Sequence, residues 1–169
     1  MSLRKRLLEQ PWVYENLMKI FRRKKSLEFV ADKLINTVEG ERILDLGCGT
    51  ATILSVMPNV EYTGIDNNPN YIEKAVSRFG HRGKFICADL NDEIVKSLGT
   101  FDKILLLGVM HHLPDESIKQ TMALIPKLLR PQGVLITKDS AFEENQHPIA
   151  RIMARMDRGR FVRSTDGLC

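Results

Sequence analysis

Apolar residues recur along this chain in two registers, one at helical spacing and one in short unbroken runs, and their alternation predicts the fold. Pro11 stands where a first helical turn tolerates proline, and Val13, Leu17, Ile20 and Phe21 follow at helical spacing. Beyond the polar stretch 22–26, Leu27, Val30, Ala31, Leu34 and Ile35 mark a second amphipathic segment, with Phe29 at the side of the stripe. It ends near the turn residues around Gly40. Two helices are therefore expected ahead of the core.

From Arg42 onward, short apolar runs alternate with longer helical patterns. Ile43-Leu44, Val60 to Ile65, Lys84 to Cys87, Ile104 to Leu107 and Val134 to Thr137 read as strands. Thr52 to Met57, Pro69 to Phe79, Asp92 to Leu98 and Asp115 to Leu129 read as helices. Strands joined by helical crossovers imply a mainly parallel sheet covered on both faces, hence a doubly wound, Rossmann-like α/β domain. The expected organisation is a helical leader over residues 1–38 packed on a domain over 39–169, with no internal repeat and no low-complexity tract.

Composition narrows the function classes. At 169 residues, 43% apolar and 27% charged, the chain has enough apolar material for one domain with a real core. No apolar run approaches the roughly 20 residues that span a bilayer, and the start of the chain lacks a signal-type apolar region, so a cytoplasmic protein is expected. Cys48, Cys87 and Cys169 are odd in number and widely spaced, which fits neither a disulfide framework nor a zinc site; reduced thiols and no metal are expected. Residues 1–25 hold eight Lys/Arg and residues 151–169 hold five Arg, while the middle carries 12 basic against 17 acidic residues. The basic character belongs to the flanks, as a solvated face or a phosphate-binding one.

The chemistry concentrates where Ile43-Leu44-Asp45-Leu46 runs into Gly47-Cys48-Gly49-Thr50-Ala51. Glycines let a backbone approach a ligand closely, and a helix start offers unpaired N–H groups. A dinucleotide fingerprint would need Gly or Ala where Thr52 stands and asks for no acid before the first glycine, so Asp45 argues against a nicotinamide enzyme. The segment Asp45-x-Gly47-x-Gly49-x-Ala51 instead resembles the first motif of the class I S-adenosylmethionine-dependent methyltransferases, with Ala51 replacing a third glycine. The resemblance implies that Gly47, Cys48 and Gly49 wrap the methionine part of S-adenosylmethionine and that Asp45 orients its amino group, directly or through water.

About 20 residues on, Gly64-Ile65-Asp66 ends an apolar strand where a Rossmann-like unit places an acid on a ribose. Asp66 can accept from both hydroxyls; as a helix cap it would be redundant with Asn67, Asn68 and Pro69. The resemblance sets Asn67 along the ribose and adenine edge. It also sets Asp89 on the adenine amino group, with Ala88 and Leu90 lining the ring, although Asp89 alone equally suits a cap for a helix near Asn91. The fourth strand opens into Gly108-Val109-Met110-His111-His112-Leu113-Pro114-Asp115, a loop at the sheet edge where open α/β folds build sites. By resemblance the backbone at Leu107 and Gly108 meets the methionine amino group.

The Val-Met-His-His-Leu-Pro-Asp form is similar to the branch that methylates small molecules, and it lacks the Asp-Pro-Pro-Tyr or Asn-Pro-Pro-Tyr of enzymes acting on DNA bases. A small-molecule acceptor is thereby implied. His111 or His112 can serve as general base near neutral pH, His111 being preferred; the alternative is that one packs on the cofactor while the other bonds within the loop. Asp139 and His147 are pocket candidates by location or hydrated loop residues, and Tyr14 either caps the cofactor or packs in the core. Two other classes fit the same residues: an RNA methyltransferase guided by the basic flanks, and a non-catalytic cofactor-binding domain. No RNA-binding module or interleaved aromatics support the former. The family's sheet normally ends in an antiparallel strand pair; here only Arg160 to Arg163 could begin a sixth strand. A five-strand core is expected, with Val134 to Thr137 an exposed or borrowed edge: either the chain is a truncated or partly ordered product, or a partner such as a second copy covers that edge.

Overall fold

The computed structural model describes residues 24–139, 141–142 and 163–164. The expected first helix around Val13 to Phe21, together with Tyr14, His147 and Cys169, lies outside them. Residues 24–29 are α-helical and the winding loosens into a π-helix over Val30–Ile35, closed by Asn36 in the left-handed conformation. The wider winding changes which side chains face inward. Val30, Ala31 and Ile35 are buried, whereas Leu34, expected on the apolar stripe, is 42% exposed. A turn closed by i→i+5 bonds brings residue 35, not 34, beneath residue 30.

The core is a parallel sheet of β1 (Arg42–Leu46), β2 (Glu61–Asp66), β3 (Gly83–Cys87), β4 (Phe101–Leu107) and β5 (Leu129–Lys138) in the order β3-β2-β1-β4-β5. Helices α1 (Pro69–Phe79), α2 (Asp92–Leu98) and α3 (Asp115–Leu128) are the crossovers after β2, β3 and β4. The segment after β1 is a single 3-10 turn, Thr52–Ser55, shorter than the helix to Met57 that the sequence predicts. Alternation along the strands sorts the core into two faces. Ile43, Tyr62 and Leu105 pack with Ile35, Ala75 and Phe79, while Leu44, Ile65 and Leu106 pack with Leu98, Leu124 and Leu128. The sheet is therefore covered on both sides, as the doubly wound reading requires.

Strand β5 begins five residues earlier than predicted because Leu129 pairs with Phe101, after which the register jumps to Lys103 opposite Val134. The intervening turn holds Gln132 at a φ of +72°. Among the described residues β5 forms the sheet edge, with Val134 45% exposed. Ala141–Phe142 and Arg163–Ser164 form a separate two-strand parallel pair. Of the segment expected to begin a sixth strand, Arg160 to Arg163, only Arg163 lies within the described residues, and it belongs to that pair and not to the main sheet. At the opposite end of the strands, Lys103 Nζ donates to Asn36 O at 2.7 Å and to Glu41 Oε2 at 2.8 Å, anchoring the helical leader. Among the described residues no helix is long and apolar enough to cross a membrane.

Candidate functional site

Strand order reverses between β1 and β4, and in such sheets the crevice lies at the carboxyl ends of the strands on either side of the reversal. A cavity of about 800 Å³ opens there. The end of β1 contributes Leu46, Gly47 and Gly49; β2 contributes Ile65, Asp66, Asn67 and Asn68; β3 contributes Ala88, Asp89 and Leu90. From β4 and its loop come Leu106, Gly108, Val109, His112 and Leu113.

The glycine loop owes its shape to β2. Gly47 and Cys48 N–H groups donate to Ile65 O at 2.8 and 3.0 Å, and the Gly49 N–H donates to Asp66 Oδ2 at 2.9 Å. These amides are engaged within the protein, so the loop offers close backbone approach rather than the unpaired N–H groups expected of a helix start. Gly47 lies at φ +71°, and a Cβ there would come within 2.6 Å of Val109 Cγ2. Only glycine suits that position.

Asp66 holds two backbone amides at once, Gly49 through Oδ2 and Asn68 through Oδ1 at 2.8 Å. Each carboxylate oxygen carries further acceptor capacity toward the cavity. Asp66 does not cap α1; Asn68 does, accepting from the Asn70 N–H at 3.0 Å. Likewise Asn91 caps α2, accepting from the Ile94 N–H at 2.9 Å, which leaves Asp89 on the cavity wall with Asn67 Nδ2 donating to its Oδ1 at 3.0 Å.

Four expected site residues stand behind the cavity lining. Asp45 is 3% exposed and accepts the Tyr62 hydroxyl at Oδ2, 2.5 Å away. Burial pushes its carboxyl up to about 7, against the lowering effect of the Tyr62 hydrogen bond and with a further rise from the Asp66 charge. The Cys48 thiol abuts Gly64, where a Cβ would meet its Sγ at 2.8 Å; burial, then the Asp45 and Asp66 charges, push it above the ordinary thiol range. Leu107 packs into the core face of Ile43 and Leu105, and Leu106 takes the cavity position instead.

His111, the preferred general base, is the fourth. It is 5% exposed, and its Nδ1 is hydrogen-bonded to Asp139 Oδ1. His112 reaches the cavity. The two adjacent residues divide as packing requires: in a 3-10 turn, Met110–His112, neighbours point about 120° apart, so one goes in and one out. Asp139 is not a hydrated loop residue, because its side chain is 5% exposed. Tyr71, Ser117, Gln120 and Thr121, which no sequence motif singles out, complete the wall. The last three share one stripe of α3, and a polar stripe on a helix ordinarily signals solvent.

A family model described as a methyltransferase domain matches residues 43–133, more than half of the chain. The chain belongs to the methyltransferase domain family. It is 26% identical over 160 residues to the malonyl-(acyl-carrier protein) O-methyltransferase of Anoxybacillus flavithermus, covering 90% of this chain and 59% of that protein. It is 28% identical over 103 residues to a ubiquinone biosynthesis O-methyltransferase of Caulobacter, covering 58% of this chain and 40% of that one. The chain thus spans about half the length of these two curated relatives. Its fold is similar to a SAM-dependent methyltransferase from Thiobacillus denitrificans solved in complex with S-adenosyl-L-homocysteine, at TM-score 0.60 and 20% identity, over 85% of this chain and 60% of that one. The Rossmann-like methyltransferase fold read from the sequence is the fold observed.

Proposed function

We propose that this domain binds S-adenosylmethionine in the crevice at the ends of β1 to β4 and directs its methyl group to a small-molecule acceptor. The observation that carries the reading is the convergence on one cavity of the Gly47–Gly49 loop, Asp66, Asp89 and Gly108, each from a different strand end. The cavity chemistry fits the group. A loop without side chains at Gly47 and Gly49 admits a ligand against the backbone, and Asp66 and Asp89 supply carboxylate acceptors for ribose hydroxyls and for an exocyclic amine. Ala88 and Leu90 flank Asp89 with the apolar surface that a flat ring needs, and Asn67 steadies it.

When bound, S-adenosylmethionine supplies a methyl group on a sulfonium whose leaving group is a neutral thioether. The chain's own residues then have three tasks: to hold the donor in line, to exclude water, and to take the proton that an acceptor O–H or N–H loses. His112 is the cavity-facing candidate for the last; His111, turned inward, is not. Asp45 and Cys48 act from beneath the loop, Asp45 by holding Tyr62 and Cys48 by filling the space that Gly64 leaves. The two curated relatives described above are O-methyltransferases and another, 27% identical over 108 residues, is an N-methyltransferase, so oxygen and nitrogen acceptors both belong in the test.

An acceptor screen with methyl-labelled S-adenosylmethionine tests the reading. Label should pass to a small-molecule acceptor bearing an O–H or N–H group. Label passing to RNA alone would favour a nucleic-acid methyltransferase, and cofactor binding with no transfer to any acceptor would favour a binding module.

A further inference from the structure

We infer that Asp139 is a positioning residue for this site, acting through His111 to set the His112 imidazole on the cavity wall; the inference rests on the function proposed above. Asp139 follows the end of β5, and one carboxylate grips the loop after β4 at three points. Its Oδ2 accepts the Met110 N–H at 2.6 Å and the His111 N–H at 3.3 Å, and its Oδ1 pairs with His111 Nδ1. The carboxylate only accepts hydrogen bonds, so Nδ1 of His111 carries the proton and the tautomer is chosen.

The His111 ring lies against the His112 ring, with centroids 4.0 Å apart and planes tilted by 45°. The backbone held at Met110 and His111 and the His111 ring together support His112, whose side chain lines the cavity. The support is itself braced: Gly108 N–H donates to Lys138 O at 2.7 Å, joining the ends of β4 and β5 just before the loop and just before Asp139. Thus a residue that does not line the cavity sets the aim of one that does.

Side-chain ¹⁵N–¹H NMR of the parent protein and of Asp139→Asn, with S-adenosyl-L-homocysteine as probe and its affinity measured by calorimetry, tests this. In the parent, His111 should show the Nδ1–H tautomer, and the probe should shift the His112 ring resonances. In Asp139→Asn, which keeps the size but offers one acceptor oxygen fewer, the probe should bind within about threefold of the parent while the His112 shift is lost. An Nε2–H tautomer for His111 in the parent would overturn the inference whether or not the variant folds. So would a parent His112 that ignores the bound probe, or a variant His112 that still responds in full. A parent that does not bind the probe sinks the proposed function instead, and the tautomer remains as the separate reading.

Discussion

Oδ2 of Asp66 lies 2.9 Å from the backbone nitrogen of Gly49, so the carboxylate that ends β2 also clamps the glycine loop after β1. Binding and folding are coupled through one side chain. Asp66→Ala should therefore lower stability without ligand by about 1–3 kcal/mol, because two backbone amides lose an acceptor, and should weaken S-adenosyl-L-homocysteine binding by a comparable amount. Chemical denaturation and calorimetry measure the two separately. A variant as stable as the parent would show that the clamp contributes nothing to the fold.

The two loop glycines should differ under substitution. Gly47→Ala meets Val109 as well as an unfavourable φ, whereas Gly49→Ala meets open space at φ +54° and carries only the backbone cost of about 1–2 kcal/mol. Gly47→Ala should lose more, and Val109→Ala placed on top of it should recover part of the loss. Equal melting temperatures for the two single variants, with no recovery in the double, would contradict the packing at Val109.

Asp45 should make the fold sensitive to pH. Its carboxyl is raised from 3.8 to about 7 in the folded state, so between those values the folded chain holds a proton that the unfolded chain has released. Stability must then fall as pH rises from about 4 to 7 and level off above, at a slope of at most about 1.4 kcal/mol per pH unit. Denaturant midpoints across that window should show the fall in the parent and a flatter profile in Asp45→Asn. Tyr62→Phe, which removes the hydrogen bond favouring the charged form, should extend the fall to higher pH without steepening it. Parallel profiles for the parent and Asp45→Asn would place the titration elsewhere.

The adjacent histidines should separate by stability alone. His111→Ala leaves the buried Asp139 without its ring partner and should cost about 1–3 kcal/mol. His112→Ala, at an exposed position, should stay within about 0.5 kcal/mol. Thermal melts of both decide, and the reverse order would contradict the inward placement of His111 and the outward placement of His112.

Much of this architecture was legible in the sequence because its signals are local. The helix Pro69–Phe79 appears at the predicted bounds, since Asn68 caps it, Pro69 opens it and Ile72, Ala75 and Phe79 fall on one buried face. Asp66 and Asp89 were recognisable as cavity residues because each follows an apolar strand in a parallel sheet. What escaped depends on contacts between distant segments. The burial of Asp45 comes from β1–β2 register, which sets Asp45 beside Gly64 and brings Tyr62, two residues back on the same face, within reach. Nothing near His111 in sequence says that a carboxylate 28 residues on will draw it inward rather than His112. Leu34 escaped because the chain winds as a π-helix over Val30–Ile35, wider than the α-helix its apolar spacing suggests, which turns Leu34 out of the core.

Calorimetric titration of the chain with S-adenosyl-L-homocysteine, with NAD in a parallel titration, tests the central claim most directly. The site described here predicts one molecule of S-adenosyl-L-homocysteine bound per chain, with a matching rise in melting temperature, and a much weaker response to NAD. Equal binding of both, or of neither, would contradict the assignment of this cavity to S-adenosylmethionine.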